Sequence, residues 1–291
     1  MIEHQVDCIV RLHDPKRLPE LNRCVFSLVG QTHRPLNIIL AVQRFSASDI
    51  DALVAEIQPM LSFPGAPTFT VVNWREPEPA DARTELLNLG LSACTGQYVA
   101  FLDYDDVLYP EAYELLIERI IRTGAAIAFA SVRLLNADIH DGFVYALCQM
   151  TPPFHGENLQ DLFTSNFCPI HSYLIDRSKI DGAVLSFDTV LTWEEDYDLL
   201  LKICAAYPSD FGALNKVIGD YYYKNDGSNT VPHSTPPSER RMAEYQRVTA
   251  LVEVRRRTTF VVPSVQVALG FARPAPNLTI RGALDQLQLI N

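Results

Sequence analysis

Three carboxylates crowd the end of an apolar run in Tyr98-Val-Ala-Phe-Leu-Asp-Tyr-Asp-Asp-Val-Leu-Tyr-Pro110. On a strand, residues two apart point to the same side, so Asp103 and Asp105 are expected to converge on one point. Two unit charges about 4 Å apart repel by about 4 kcal/mol at an effective dielectric of 20, so the pair calls for a cation. Oxygen ligands alone suit Mg²⁺ or Mn²⁺, which typically take one or two carboxylates plus substrate phosphates. An isolated Asp-x-Asp is more often a polar turn; the buried strand before this one favours the metal. A second acidic group lies in Thr192-Trp-Glu-Glu-Asp-Tyr-Asp-Leu-Leu-Leu-Lys202. Its apolar spacing predicts a helix starting near Glu194, with acids at the positive end of the helix dipole. On its own, this second group reads as simple dipole compensation.

The elements that position these acids alternate. Val6 to Leu12 reads as a strand, followed by a helix carrying Leu18, Leu21, Val25 and Leu28 and ending near Gly30. Leu36 to Val42 is a short apolar run suited to a buried strand. Ser48 is placed to cap a helix with Ile50, Leu53, Val54 and Ile57 on one face. Thr68 to Trp74 is the third strand, Asp81 is expected to cap the next helix, and Gly96 to end it. Tyr98 to Leu102 is the fourth strand. Such interleaving predicts an α/β fold with a mostly parallel sheet and helices on both faces. With the common strand order 3-2-1-4, the first and fourth strands flank the switch point where ligands bind open sheets. Arg11 and His13 then stand beside Asp103 and Asp105.

After Asp106 the pattern changes. Pro110 and Glu111 suit the start of a helix that Gly124 closes. Ala125 to Leu135 and Phe143 to Met150 flank Asp138-Ile-His-Asp-Gly142 and read as an antiparallel pair. Asn225 to Ser228 and the Pro-rich Val231 to Ser238 read as turn and linker. A helix from about Glu239 to Arg257 follows, and no pattern assigns residues 258–291.

Composition bounds the function. The 291 residues are 48% hydrophobic with a net charge of -11, against the basic stripe expected for nucleic-acid binding. Cys8, Cys24, Cys94, Cys148, Cys168 and Cys204 show no metal-ligand spacing and read as buried free thiols of a reducing, cytoplasmic compartment. The N-terminal residues lack the basic and apolar regions of a signal peptide. No apolar run approaches the ~20 residues of a membrane span. The absence of Gly-x-Gly-x-x-Gly, a P-loop and His-Glu-x-x-His argues against dinucleotide oxidoreductases, P-loop kinases and zinc proteases.

Asn88-Leu-Gly-Leu-Ser-Ala-Cys-Thr-Gly-Gln-Tyr-Val-Ala-Phe-Leu-Asp-Tyr-Asp-Asp106 resembles the family 2 glycosyltransferases of the GT-A fold. Glu195-Asp-Tyr-Asp-Leu-Leu-Leu is similar to the family's later Glu-Asp motif, and Ser27-Leu-Val-Gly-Gln-Thr to its Ser-Leu-x-x-Gln-Thr. The three motifs match in order and spacing across roughly residues 5–230. The resemblance implies a Rossmann-like GT-A domain over 1–235, with a nucleotide-binding half of about 1–106 and an acceptor half of about 107–235. Residues 236–291 are then a C-terminal helix and tail.

It further implies an inverting transfer of a sugar from a nucleotide-diphosphate donor to an acceptor hydroxyl. Asp105 becomes the principal metal ligand, with Asp103 near ribose or metal and Asp106 in support. Asp196 becomes the general base and Glu195 orients it or the acceptor. Asn88 and Gln43 are grouped with the donor, His171 and Trp193 with the acceptor, and Lys224 and His233 with the diphosphate or metal; Arg11 and Arg83 join the donor group as phosphate or base contacts on geometry alone. For His171 a structural role is the competing reading, and for Lys224 and His233 a solvated turn. Ala41-Val-Gln-Arg-Phe-Ser replaces the family's Asp-Asp-Gly-Ser, so UDP-, GDP- and dTDP-sugars all stay open. A glycan or lipid-linked glycan acceptor follows by the same analogy, in the setting of polysaccharide assembly. Arg255-Arg-Arg257 would offer peripheral contact with anionic lipid at the inner membrane face, against a merely solvated helix face. The competing functions are a silent GT-A-like binding module and a metal-dependent nucleotidyltransferase or phosphohydrolase.

Overall fold

The computed structural model describes residues 1–140, 143–151, 155–225 and 239–290. Chain order runs β1 (Ile2–Leu12), α1 (Leu18–Val29), β2 (Leu36–Gln43), α2 (Ala47–Ile57), β3 (Thr68–Trp74), α3 (Arg83–Ala93) and β4 (Gly96–Asp103). It continues with β5 (Val107–Leu108), α4 (Ala112–Thr123), β6 (Ile127–His140), β7 (Phe143–Gln149), α5 (Leu159–Thr164), β8 (Tyr173–Asp176), α6 (Glu195–Ala206) and β9 (Ser209–Lys224). Three helices close the chain: α7 (Glu239–Thr258), α8 (Pro263–Ala268) and α9 (Ile280–Ile290).

One sheet in the order β3-β2-β1-β4-β8-β6-β9-β5 organises the molecule, with β7 added to β6. The first four strands are parallel in the expected 3-2-1-4 order. β8 then runs antiparallel to both β4 and β6, and β9 runs parallel to β6. The antiparallel pairing of β6 with β7 is also as expected, with His140 opposite Phe143. Side chains alternate across β1: Ile9 enters one core layer, Cys8 and Val10 the other. Buried residues of α1, α2 and α4 fill the second layer; those of α3, α6, α7, α8 and α9 fill the first. The central parts of β1, β2 and β4 are therefore buried on both faces and largely apolar, as a sheet covered on both sides requires. The C-terminal helices share that core, with Val248, Val252, Val265 and Leu284 buried among sheet residues.

Three expected helix boundaries shift. Ser46, not Ser48, caps α2, in a reciprocal capping box with Asp49. Ala82 precedes α3 without a side-chain cap, although Asp81 does accept from the Arg83 backbone at 3.2 Å. Gly96 opens β4 rather than ending α3. A Cβ there would lie 2.6 Å from the Gln5 carbonyl oxygen, so the close approach of β1 demands glycine. Gly124 closes α4 as expected, at φ 72°, donating to the Ile120 carbonyl. The turn and linker expected at residues 226–238, and His233 within them, lie outside the described residues. Cys8, Cys24, Cys94, Cys168 and Cys204 are buried and unbridged, whereas Cys148 on β7 is exposed.

Candidate active site

Parallel pairing in register sets Arg11 at the end of β1 directly opposite Asp103 at the end of β4. Arg11 grips the Asp103 carboxylate with two nitrogens, Nε at 2.5 Å and Nη2 at 3.1 Å. Its Nη1 donates to Glu195 at the start of α6. One guanidinium thus joins both acidic motifs, which lie 92 residues apart in the chain. The fork geometry of arginine suits this bidentate duty. Burial pushes the Asp103 carboxyl up, but the charge and hydrogen bonds of Arg11 outweigh it and hold the group below its ordinary range.

The chain leaves the strand at Asp103 and turns, the Asp106 amide donating to the Asp103 carbonyl at 3.0 Å. Strand alternation therefore does not make Asp103 and Asp105 converge; the turn carries Asp105 to a separate cation. Lys224 Nζ, on the last residue of β9, lies 2.7 Å from Asp105 Oδ2 and also faces the Tyr104 ring. Lys224 is buried, which corrects its reading as a solvated turn residue. Burial alone would lower its pKa, but Asp105 and Tyr104 raise it. Asp106 turns inward and accepts from the Tyr222 backbone at 2.8 Å. Burial first, then Asp105 and Asp103, push its carboxyl well up.

A cavity of about 420 Å³ opens beside this turn. Arg11, His13, Gln43, Arg83, Asp103, Asp105, Asp106, Tyr221 and Tyr222 contribute to its wall. Gln43 lines it while tying down the loop before α3, donating to the Ala80 carbonyl and accepting from the Ala82 amide. Arg83 lies along the rim with Asp81, at 2.7 Å. The rim is rich in carboxylate oxygen and Asp105 is part-exposed there, a donor chemistry that fits a hard divalent cation shared with a diphosphate. Among the described residues, no three His, Cys, Asp or Glu side chains converge as a complete metal cage. Tyr221 and Tyr222 were not singled out in sequence; their signal is the aromatic run Tyr221-Tyr222-Tyr223 ending at Lys224.

Two expected contacts fail. Asn88 uses its amide reciprocally on the Phe187 backbone, donating to the carbonyl and accepting from the N–H, each at 2.9 Å. It is a clamp between α3 and the loop before α6, and it does not line the cavity. His171 is buried beneath Tyr221, the rings stacked with centroids 6.1 Å apart, and its Nδ1 is 3.4 Å from Asp106. Burial pushes the ring down to about 4 against Asp103 and Asp220, leaving it neutral at pH 7 and inaccessible to an acceptor.

At the start of α6 the acids are differently served. Asp196 is half-buried; its Oδ1 accepts from Tyr197 N at 2.7 Å and from the Asn166 amide at 3.4 Å. Burial, then Glu195 and Glu194, push its carboxyl well up. Glu194 precedes the helix at φ 60°, a left-handed conformation uncommon outside glycine and concentrated at functional sites. One of its carboxylate oxygens is buried without a hydrogen-bond partner, and burial raises the group to about 7. Trp193 is half-buried against Tyr245 of α7, ring centroids 4.8 Å apart. The Arg255–Arg257 run is engaged within the protein: Arg255 binds Asp198 and Asp188, Arg256 binds Tyr197, and Arg257 binds Glu253.

Residues 16–181 match the family model described as glycosyl transferase family 2, which covers more than half of the chain. The chain belongs to that family. It is 29% identical over 200 residues to the succinoglycan biosynthesis protein ExoO of Rhizobium meliloti (strain 1021), covering 64% of this chain and 54% of that protein. It is 26% identical over 215 residues to an uncharacterized glycosyltransferase of Nostoc sp., covering 72% of this chain and 62% of that one. The chain thus spans little more than half of these relatives' length. Among solved structures, S. aureus TarS 1-349 in complex with UDP-GlcNAc superposes with a TM-score of 0.63 at 13% identity, covering 92% of this chain and 71% of that chain. The mannosyltransferase PcManGT of Pyrobaculum calidifontis, in complex with GDP-Man and Mn²⁺, gives 0.52 at 13% identity, covering 98% and 80%. The fold is GT-A, as the resemblance implies. The family match ends before Glu195, so the second acidic motif lies beyond it. Among the described residues no helix is long and apolar enough to cross a membrane.

Proposed function

We propose that this chain transfers a sugar from a nucleotide-diphosphate donor to an acceptor hydroxyl, inverting the anomeric carbon. The observation that carries the reading is the single arginine, Arg11, which joins Asp103 at the donor cavity to Glu195 of the second motif. The donor's diphosphate lies against Asp105 and Lys224, and its base against Gln43 and Arg83. The two nucleotide sugars held by the similar structures carry different bases. The base therefore stays open among UDP, GDP and dTDP. Mg²⁺ or Mn²⁺, when bound at Asp105 with Asp103 near it, supplies positive charge for the departing diphosphate. Lys224 adds a fixed positive charge at the same edge of the cavity.

Asp196 accepts the acceptor's hydroxyl proton as the new oxygen–carbon bond forms and the bond to the diphosphate breaks. The bond's electron pair leaves on the diphosphate oxygen. The raised pKa of Asp196 supports this role, because a more basic carboxylate takes a hydroxyl proton more readily. Glu195 is committed to Arg11 and orients α6. A glycan acceptor in polysaccharide assembly is the setting that the succinoglycan relative supports, and a lipid-linked one fits the same chemistry.

The test is incubation with UDP-, GDP- and dTDP-sugars, with and without Mn²⁺, followed by NMR of the product's anomeric carbon. Inverted glycoside with release of nucleoside diphosphate is expected. Transfer of phosphate or nucleotide instead would overturn the reading, and binding without turnover would favour a silent module.

A further inference from the structure

The turn that carries the acceptor-side acids, residues 188–198, is held mainly from outside the sheet. Arg255 Nε reaches Asp198 Oδ1 at 2.5 Å and its Nη2 reaches Asp188 Oδ2 at 3.2 Å, closing the two ends of the turn onto one guanidinium. Arg256 Nη2 donates to the Tyr197 hydroxyl at 2.8 Å and to the Thr164 carbonyl at 2.7 Å, joining α6 to the end of α5. Arg247 donates to the Val190 carbonyl at 2.9 Å, Thr192 donates to Glu244, and Trp193 packs on Tyr245. Every one of these partners sits on α7.

The helix itself is fixed. Val248 and Val252 are buried in the core, and Glu253 on its outer face is held by Arg281 of α9, Nε to Oε1 at 2.9 Å. Asp198 is buried within the first turn of α6, two residues from Asp196. A shift of Asp198 would therefore rotate the helix start that aims Asp196. The left-handed Glu194 sits in the middle of this span, and a conformation of that kind persists only where its surroundings over-determine it.

We propose that α7 is a brace for the acid-bearing turn and that Arg255 is its principal positioning residue, setting the aim of Asp196 without touching substrate. This rests on the transfer reaction proposed above. It assigns a role in turnover to a helix outside the segment that the family model matches.

The full chain, with Arg255→Met and Arg255→Lys, separates the outcomes. For Arg255→Met, kcat is expected to fall about 10–100-fold, the scale of a misplacement of about 1 Å, while the donor Kd measured by calorimetry stays within about twofold. Arg255→Lys should recover part of kcat, because an ammonium still pairs with Asp198 but cannot span to Asp188 as well. Adding Asp198→Asn to Arg255→Met should cost little more than Arg255→Met alone. A kcat within about twofold of wild type for Arg255→Met overturns the proposal. So does a parallel loss of kcat and donor affinity in both variants. A readout independent of turnover uses Trp193 as sole tryptophan, with Trp74→Phe. Arg255→Met should shift its emission to the red as Trp193 leaves Tyr245, and unchanged emission also counts against the brace. Absence of transfer by the wild type with every donor would instead sink the functional reading, and the fluorescence would still decide the brace.

Discussion

The two acidic groups differ in how their charge is answered. At the cavity beside the end of β4, Asp103 is gripped by Arg11 and Asp105 by Lys224. At the start of α6, Glu195 takes the third arm of Arg11, and Glu194 and Asp196 are left with amides and burial. Paired carboxylates hold a fixed charge, whereas those buried without a cation bind protons more tightly. The same residue type thus holds a fixed charge beside Arg11 and Lys224 and a tightened proton at the start of α6.

Four experiments break or sharpen this contrast. The largest effect is expected for Asp196→Asn, with kcat down about 10²–10⁴-fold and donor affinity kept, measured by steady-state kinetics and calorimetry. Wild-type turnover would move the proton acceptor elsewhere. Arg11→Met should destabilise the fold by about 3–5 kcal/mol in urea melts, because it strands the part-buried Asp103 and the buried Glu195 together. A loss below 1 kcal/mol would mean that the two acids are not joined as described.

Glu194→Gln tests the unpaired side through pH. The folded protein keeps this proton up to about 7, while the unfolded chain releases it at its ordinary 4.5. Folding therefore loses stability as pH rises from 4.5 through 7, and the amide removes that loss. The variant should gain about 1–3 kcal/mol at pH 8, reduced from the full linkage value by solvent screening at a half-buried site, and nothing at pH 4. A gain equal at both pH values would show that the ionised carboxylate is not the source. The smallest effect belongs to Asn88→Ala: about 1–2 kcal/mol of stability for two hydrogen bonds, with the donor Kd unchanged. A tenfold weaker donor would return Asn88 to the nucleotide site.

Much of the first half, through Asp106, was legible because its signals are local or periodic. Apolar runs spaced the first four strands, and the parallel order 3-2-1-4 brought Arg11 to Asp103 by register alone. The second half was not legible for the opposite reason. β8 has four residues and β9 is interrupted by register shifts, so neither carries a clean alternation. His171 illustrates the limit: its place between two motifs suggested an acceptor contact, but burial depends on Tyr221 from a strand fifty residues later. Arg255 to Arg257 read as a charged face because their partners lie on other elements.

By itself, the sequence determined the family to which the chain belongs, the acidic groups able to do chemistry and, given the common 3-2-1-4 order, the meeting of Arg11 with Asp103. These follow from short-range pattern and from the few topologies that parallel crossovers permit. Only the tertiary structure decided which cation answers which carboxylate, that Lys224 is buried on Asp105, and that α7 holds the turn at Glu194. Pairing and burial arise from contacts between residues far apart in the chain, and those set whether an acid grips or accepts a proton.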